Sequence, residues 1–433
     1  MTRIPAAPRK RALDKDLAKI TALEAGGHRG GVRLLPIGLS VVFLAVAWML
    51  AAGRDVEGAG AGLIIVAAVI GGYMALNIGA NDVANNMAPA VGARALTMGG
   101  ALAIAAVCEA AGALLAGADV VATISSGIIA PVSVADRSVF IAVMMAALLG
   151  AALWLNLATW IEAPVSTSHA IVGSVLGAGV TAAGFGAANW PVLAAIVGSW
   201  VVSPLLGAVI AALMLAVLDA LILQADDRIA AARRWVPLVV AVTAAAFTAY
   251  LLLKGLSQVW TPPLPMALAL VAAVFLAGYE ATRRLTARRA PALDNSKKAV
   301  GTLFTVPLIA AAALLSFAHG ANDVANAIGP LAAIVAAVGG SAGTVVAVPT
   351  WIMAIGAFGI AAGLALFGPR LIRMVGEKIT RLNPVRAFCV AISAALTVLA
   401  ASALGLPVSS THIAIGAVFG VGLARERHAR RGG

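Results

Sequence analysis

A phrase of seven residues, containing one carboxylate and two carboxamides, occurs twice within strongly apolar sequence. Residues 79–85 and 320–326 both read Gly-Ala-Asn-Asp-Val-Ala-Asn, and a proline follows each copy, at Pro89 and Pro330. Such side chains are costly at the depth of a lipid bilayer, and they mark ion or substrate sites when they occur there. Their oxygen atoms suit a hard cation or a proton. The repetition therefore predicts one site assembled from two halves of the chain.

A second phrase, rich in hydroxyl groups, is also duplicated. Pro-Val-Ser-Thr-Ser-His occupies 164–169 and Pro-Val-Ser-Ser-Thr-His occupies 407–412. The first pair of phrases is 241 residues apart and the second pair 243, a nearly equal spacing that indicates an internal duplication. A proline near a helix start leaves free N–H groups beside the hydroxyls, and this arrangement suits a tetrahedral oxyanion. The candidate anion ligands are Asn85, Ser166, Thr167, Ser168, Asn326, Ser409, Ser410 and Thr411.

The two aspartates would repel an anion unless something neutralises them. Na⁺ held by Asp and Asn oxygens, or a proton on each carboxylate, makes anion binding depend on the cation, which is the physical basis of symport. Glu109 is a third acid within an apolar segment; it either takes part in this work or is a protonated side chain bonded to neighbouring backbone. The candidate cation ligands are Asn81, Asp82, Glu109, Asn322 and Asp323, and Asp82 and Asp323 would be metal ligands if the cation is Na⁺.

The elements that position these residues are predicted to be membrane-spanning helices. Of the 433 residues, 62% are apolar and 11% are charged, and the mean hydropathy is +1.00. Soluble domains carry about 25% charged residues, so the composition predicts an all-α integral membrane protein in contact with the lipid bilayer. About twelve spans are expected, at 33–53, 60–78, 98–117, 139–160, 166–186, 191–223, 235–254, 264–281, 302–318, 344–367, 386–404 and 407–424.

The net charge of +12 is explained by topology. If the spans alternate from a cytoplasmic N-terminus, all but three of the 30 lysines and arginines lie on the cytoplasmic side; the exceptions are Arg54, Arg137 and Lys254. This bias follows the positive-inside rule and requires no nucleic acid partner. It predicts a multi-pass protein of the bacterial inner (plasma) membrane with both termini cytoplasmic.

The two halves are predicted to be inverted around a central site. Two spans precede the first polar phrase and nine precede the second, an odd difference that reverses the second copy relative to the first. Because Gly, Asn, Asp and Pro interrupt both copies, segments 79–93 and 320–336 are expected to be broken or re-entrant helices.

The predicted organisation has six parts. They are a cytoplasmic N-terminal tail (1–32), N-terminal transmembrane helices (33–78), a first transporter repeat (79–223), a linker region with two transmembrane helices and a basic cytoplasmic loop (224–300), a second transporter repeat (301–424) and a cytoplasmic C-terminal tail (425–433). The serines and histidines occur in symmetric pairs without a nucleophile-elbow pattern. The chain is therefore expected not to be an enzyme and to need no cofactor besides co-transported Na⁺ or H⁺.

The phrases resemble those of the inorganic phosphate transporter (PiT) family, which carries Gly-Ala-Asn-Asp-Val-Ala-Asn-Ala twice. The resemblance covers about 60–424 and includes Gly-Glu-Lys-Ile-Thr at 376–380 and Pro-Val-Arg-Ala-Phe at 384–388; the additional first span is similar to the bacterial and plastid-type branch. It implies phosphate symport, with phosphate at the six hydroxyls and the coupling cation at the Asn-Asp pairs. The family also suggests a homodimer.

Two departures from the family pattern leave the coupling ion open between Na⁺ and H⁺. Asn86 stands where the family has alanine, and apolar residues follow Phe388 where the family often has glutamate. Two alternatives to phosphate symport remain: a sulfate permease of the same fold, and a membrane phosphate receptor that does not transport.

Overall fold

The computed structural model describes residues 34–54, 59–134, 136–257, 260–340, 348–375 and 382–431. The described chain is almost entirely helical, and its β-structure is limited to an isolated bridge between Ile129 and Ala188. The long helices are α1 (Leu34–Ala52), α2 (Ala59–Gly92), α3 (Met98–Ala116), α4 (Arg137–Trp160), α5 (Thr167–Ala183), α6 (Trp190–Leu218), α7 (Arg228–Tyr250), α8 (Leu264–Arg289), α9 (Thr305–Val338), α10 (Thr350–Met374), α11 (Pro384–Ala403) and α12 (Ser410–Arg431).

Each of the twelve predicted spans falls on one of these helices. Ten helices of the described chain are long and apolar enough to cross a membrane; α5, with 17 residues, is shorter, and α12 is the other exception. Several helix starts carry the side-chain caps expected from their sequence. Thr97, Asp136 and Asn383 accept a hydrogen bond from a backbone N–H in the first turn of α3, α4 and α11 respectively. The ten long apolar helices make the chain a multi-pass membrane protein.

The prediction that 79–93 and 320–336 are broken or re-entrant is wrong. Both Asn-Asp phrases lie inside uninterrupted helices, α2 and α9, which continue through Pro89 and Pro330. The physical reason is that the Asn and Asp side chains find partners on other segments, so that their own backbone need not unwind. The glycines serve close helix contacts instead. A Cβ on Gly79 would collide with the carbonyl of Ile360, and a Cβ on Gly320 would collide with that of Glu109.

The interruptions lie about 80 residues further along, at the hydroxyl phrases. Residues 161–166 separate α4 from α5, and residues 404–409 separate α11 from α12. The two connections are called tip 1 (161–166) and tip 2 (404–409). Each tip contains a residue with a positive φ at the same place, Glu162 at 59° and Gly405 at 67°. The helix interruptions therefore lie at equivalent places in the two copies.

The two copies are inverted, as expected. Gly71 of α2 packs against Leu331 of α9, whereas Asp82, further along α2, lies beside His319, which is earlier on α9. Equivalent helices therefore run antiparallel, so the pseudo-twofold axis is perpendicular to them. The contact of Gly79 with Ile360 and that of Gly320 with Glu109 are related by this axis, and they pair α2 with α10 and α9 with α3.

The core is formed by the duplicated helices. Helices α9 and α11 are largely buried, followed by α10 and α2, while α1 and α8 expose most of their residues and α7 is mostly half-buried. Large apolar side chains such as Val201, Leu213 and Leu268 are 60% or more exposed, as expected for surfaces that face lipid. The core nevertheless contains buried polar side chains, among them Asn81, Asp82, Glu109, Asn322 and Asp323.

Two predicted segment boundaries fall inside helices, and one predicted segment lies outside the described residues. The boundary at 78/79 falls within α2, so the helix that carries the first phrase begins at Ala59. The predicted C-terminal tail is helical up to Arg431, as a continuation of α12. The predicted N-terminal tail and the family phrase at 376–380 lie outside the described residues.

Candidate functional site

Asn81 and Asn322 hold the two tips in place. The Asn81 amide donates to Thr159 Oγ1 and to the Ala163 carbonyl, both at 3.1 Å, and its oxygen accepts from the Val165 N–H at 3.1 Å. Asn322 repeats this pattern with Ser402, Leu406 and Val408 at 3.0, 3.0 and 3.2 Å. Each carboxamide therefore replaces the helical hydrogen bonds that its tip lacks. This structural task was not predicted from the sequence, and cation binding by the two asparagines stays a prediction.

The hydroxyl groups of each tip region reach the Asn-Asp helix of the other repeat. Thr167 Oγ1, at the start of α5, donates to Asp323 Oδ2 at 3.1 Å, while Thr411 Oγ1 lies 3.5 Å from Asp82 Oδ1. Asn326 donates to Thr167 and Ser168 at 3.2 and 3.1 Å. The related Asn85 donates to Thr411 at 2.8 Å. The site is thus assembled from both halves of the chain.

The two tip regions also bond each other directly. Ser168 Oγ donates to the Val408 carbonyl at 2.8 Å, and Thr411 Oγ1 donates to the Val165 carbonyl at 3.3 Å. The rings of His169 and His412, one turn into α5 and α12, lie 4.9 Å apart between centroids. The starts of α5 and α12 therefore meet head to head, and the positive ends of two helix dipoles point into one region.

Two of the six predicted hydroxyls act as helix caps. Ser166 Oγ accepts from the His169 N–H and Ser409 Oγ accepts from the His412 N–H, each at 3.2 Å. Ser409 Oγ also lies 2.6 Å from His412 Nδ1. Ser410 is buried with the others, at 3% exposure. The structure hence brings the two hydroxyl phrases together, with Thr167, Ser168 and Thr411 bonded across the repeat interface.

The acidic residues form one buried cluster around His319, which is not among the predicted site residues. His319 Nε2 lies 3.0 Å from Asp323 Oδ2 and 3.6 Å from Asp82 Oδ2, and its Nδ1 lies 3.3 Å from Glu109 Oε1. All four side chains are at most 1% exposed. Three buried carboxylates near one imidazole require compensating positive charge, because unpaired charges are not tolerated at this depth.

Asn86 joins the same cluster on the side of Glu109. Its amide donates to Glu109 Oε1 at 2.8 Å. Asn86 is also the position that departs from the family phrase, so this departure places a donor on the third acid. The alternative that Glu109 merely bonds neighbouring backbone is not what the structure shows, since its contacts are with Asn86 and His319.

The cluster contains several oxygen atoms that no described donor reaches. They are Asp82 Oδ2, Asn86 Oδ1, Glu109 Oε2, Asp323 Oδ1 and Asn326 Oδ1. One ligand atom from each of Asp82, His319 and Asp323 falls within 4.8 Å of the others, which is close enough to share an ion. Buried oxygens without donors are the environment in which a hard cation or a proton is bound. The residues present therefore fit the predicted cation site.

His319 could have been found from the sequence. It directly precedes the second Asn-Asp phrase, where the first copy has Ile78, and it is an ionisable residue in an apolar segment. It has no histidine partner in the other half, so the symmetric pairs of residues did not indicate it. The bonding partners Thr159 and Ser402, by contrast, lie at related places before the tips and carried no such signal.

Glu162 of tip 1 makes a contact that has no counterpart in tip 2. Its carboxylate forms an ion pair with Arg370 of α10, and it occupies a position with φ of 59° where the other tip has Gly405. A non-glycine residue pays a small energetic cost in this conformation. The ion pair ties tip 1 of the first repeat to a helix of the second repeat.

The fold and the site together define an integral membrane protein of the inverted-repeat transporter class, with a buried polar centre where the repeats meet. A family model described as "Phosphate transporter family" matches residues 78–432. The chain belongs to this family, and the resemblance noted in its sequence is confirmed.

The relatives include bacterial and plastid proteins. A protein of Helicobacter pylori (strain J99) named "Putative phosphate permease" is 53% identical over 397 residues, covering 91% of this chain and 74% of the relative. "Inorganic phosphate transporter 2-1, chloroplastic" of Arabidopsis thaliana is 39% identical over 384 residues, covering 82% and 65%. A solved structure titled "The sodium-dependent phosphate transporter" is 37% identical, with a TM-score of 0.80, and covers 84% of this chain and 90% of that one.

Proposed function

We propose that the protein is a symporter that moves inorganic phosphate across the membrane together with Na⁺ by alternating access. One observation carries the proposal. The hydroxyl groups of Thr167 and Thr411, at the starts of α5 and α12, are hydrogen-bonded to the Asn-Asp helix of the opposite repeat, inside a buried centre. Membership of the phosphate transporter family and the sodium-dependent neighbour support the choice of ions.

The anion is expected to bind between the starts of α5 and α12. Two helix N-termini and the hydroxyls of Thr167, Ser168, Ser410 and Thr411 converge there, and Asn85 and Asn326 flank them. Neutral donors and helix dipoles stabilise an oxyanion without the tight grip of a permanent bidentate arginine. Such a site can release its substrate, which a transporter must do. Ser166 and Ser409 act by fixing the helix starts on which these donors depend.

The cation is expected to bind at Asp82 and Asp323, beside the anion. The carboxylates repel phosphate unless positive charge lies between them, so cation and anion should bind with mutual dependence. The oxygens of Asp82, Asp323 and Asn326 that lack donors support Na⁺ as cargo. Glu109 and His319 would adjust the charge of this cluster, and they provide a route by which H⁺ could substitute.

Alternating access would require the tips to separate from the opposite repeat. In the present conformation Asp82, Asp323, Asn81 and Asn322 are at most 1% exposed, as expected of an occluded state. The bonds between tips and opposite helices are those that opening toward either side would have to break. We further propose the bacterial inner membrane as location, with the basic helix ends cytoplasmic, and leave homodimerisation as a family-based proposal.

Uptake of labelled phosphate into proteoliposomes tests the proposal. Sodium and pH gradients are imposed separately, and sulfate is added as a competitor. Accumulation driven by the sodium gradient, unaffected by excess sulfate, is the expected result. Accumulation driven by pH alone would assign H⁺ as the coupling ion, and strong competition by sulfate would indicate a sulfate permease. Binding without exchange of label across the bilayer would indicate a receptor and overturn the proposal.

A further inference from the structure

An open surface pocket of about 500 Å³ lies between α7 and α8, away from the central site, and is lined mainly by exposed arginine side chains. Its walls are Arg233 and Arg234 from the first turns of α7 and Arg283 and Arg284 from the last turns of α8, with Ala230 and Ala287 between them. Two helices thus contribute an adjacent pair of guanidinium groups each. The small alanines leave the space that larger side chains would fill.

The charge of this cavity, here called the arginine pocket, is only partly balanced. Glu280 bonds both Arg283 and Arg284, with N–O distances of 2.7 Å in each case. Within the described residues, no carboxylate forms an ion pair with Arg233 or Arg234, and the Arg234 guanidinium instead lies 5.3 Å from the ring centroid of Trp235. Four guanidiniums against one carboxylate leave an excess of positive charge that an anion would stabilise.

The surroundings of the arginine pocket indicate what kind of anion it accepts. Helices α7 and α8 lie at the periphery, and apolar residues such as Val242, Leu268 and Leu276 are between 53% and 65% exposed along them. These are lipid-facing surfaces, and Trp235 beside the pocket is of the type that marks a membrane interface. A basic pocket between membrane helices at this level binds phosphate groups of lipids.

We infer that the arginine pocket binds the phosphate of an anionic phospholipid head group, with the acyl chains along the exposed faces of α7 and α8. Free inorganic phosphate has the same charged group but no apolar part, so it would gain nothing from those faces. The inference rests on the geometry of α7 and α8 and does not depend on the transport proposal.

The test uses the full chain, purified and stripped of lipid in neutral detergent. Thermal unfolding and native mass spectrometry are recorded with phosphatidylglycerol, with phosphatidylcholine of the same acyl chains, and with inorganic phosphate. The pocket variant is Arg234→Gln/Arg284→Gln. The matched control is Arg288→Gln/Arg289→Gln, which removes the same charge from exposed positions at the end of α8 that do not line the pocket.

Phosphatidylglycerol is expected to raise the Tm of the wild type and of the control, and phosphatidylcholine is not. The pocket variant should bind phosphatidylglycerol about tenfold more weakly, since charge-assisted hydrogen bonds are lost. Equal binding by the pocket variant and the control would overturn the inference, and so would equal stabilisation by phosphatidylcholine. Stabilisation by inorganic phosphate in place of the lipid would overturn the lipid assignment.

A second measurement covers the case in which the pocket variant fails to fold. Wild-type protein is photo-crosslinked to phosphatidylglycerol that carries a reactive group near its head group, and the labelled peptides are sequenced. Labels should fall on peptides containing 230–235 and 283–287. Labelling that avoids both peptides would refute the site.

Discussion

His319 Nδ1 lies 3.3 Å from Glu109 Oε1, and this buried pair, which joins α9 of the second repeat to α3 of the first, has no counterpart at the symmetry-related position. The matching helix contacts make Ile360 the counterpart of Glu109, and the duplicated phrase makes Ile78 the counterpart of His319. Both isoleucines are completely buried. The acid and the base are thus replaced together, as expected when neither can be buried without the other.

A double-mutant cycle tests this coupling. His319→Ile leaves Glu109 without its imidazole and should lower the free energy of unfolding by about 3–5 kcal/mol, the cost of an uncompensated buried charge. The double variant His319→Ile/Glu109→Ile recreates the apolar arrangement of the symmetry-related pair Ile78 and Ile360, so it should lose less than the two single losses combined. Unfolding in detergent measures all four proteins. Strictly additive losses would show that the two side chains are energetically independent.

Removing either aspartate charge should abolish coupling. Asp82→Asn and Asp323→Asn retain the size of the side chain but remove the charge that holds the cation. Sodium-driven phosphate accumulation should fall by roughly 10–100-fold, the range of typical coupling energies. Uptake into proteoliposomes measures the effect, with equal insertion checked by protein recovery. Asp226→Asn, at an exposed position before α7, is the matched control. Near wild-type uptake in either aspartate variant would remove that residue from the mechanism.

The two asparagines that hold the tips should matter for stability. Asn81→Ala and Asn322→Ala each delete three hydrogen bonds and leave buried backbone groups unpaired, at a cost of about 1–3 kcal/mol per unpaired group. Thermal unfolding should show similar losses for both, because their contacts are related by symmetry. Asn156→Ala is the control, since this exposed residue makes a single bond, to Asn77. A wild-type Tm for either tip variant would contradict this assignment.

The glycines that begin the Asn-Asp phrases should not tolerate a methyl group. Gly79→Ala and Gly320→Ala place a Cβ against a backbone carbonyl of the neighbouring helix, and such overpacking costs about 1–3 kcal/mol or more. Gly198→Ala in α6 has no atom within 4 Å of the added Cβ and should be nearly neutral. The comparison of the three Tm values checks this. Equal effects at Gly198 and Gly320 would argue against close helix contacts.

The sequence predicted the parts of the fold that depend on composition and repetition. Apolar length placed all twelve segments on helices, and the two duplicated phrases identified the halves and their meeting point. The position of the helix breaks was wrong, since Gly79, Asn81 and Pro89 are usual signs of interrupted helix. Their effect here depends on groups in other segments, namely Ala163, Val165 and Ile360, which local sequence does not reveal.

The structure brings the symmetric candidates together, the hydroxyls and the aspartates, which the sequence indicated because each occurs twice. Their roles in binding stay predictions, and the asymmetric members of the cluster were not predicted. His319 and Asn86 were missed because each has an apolar counterpart, Ile78 and Ala327. Their importance follows only from the distances to Glu109, which bring together residues on three helices.

The crossed bonds between tips and opposite helices have a consequence for biosynthesis. When the ribosome has made the first half, Thr167 and Ser168 still await Asp323 and Asn326, more than 150 residues away in the nascent chain. Until the second half is made, the polar side chains of the first half therefore lie in the bilayer without their final hydrogen-bond partners. Maturation of the centre becomes a late event, completed when the second half arrives and the two halves complement each other.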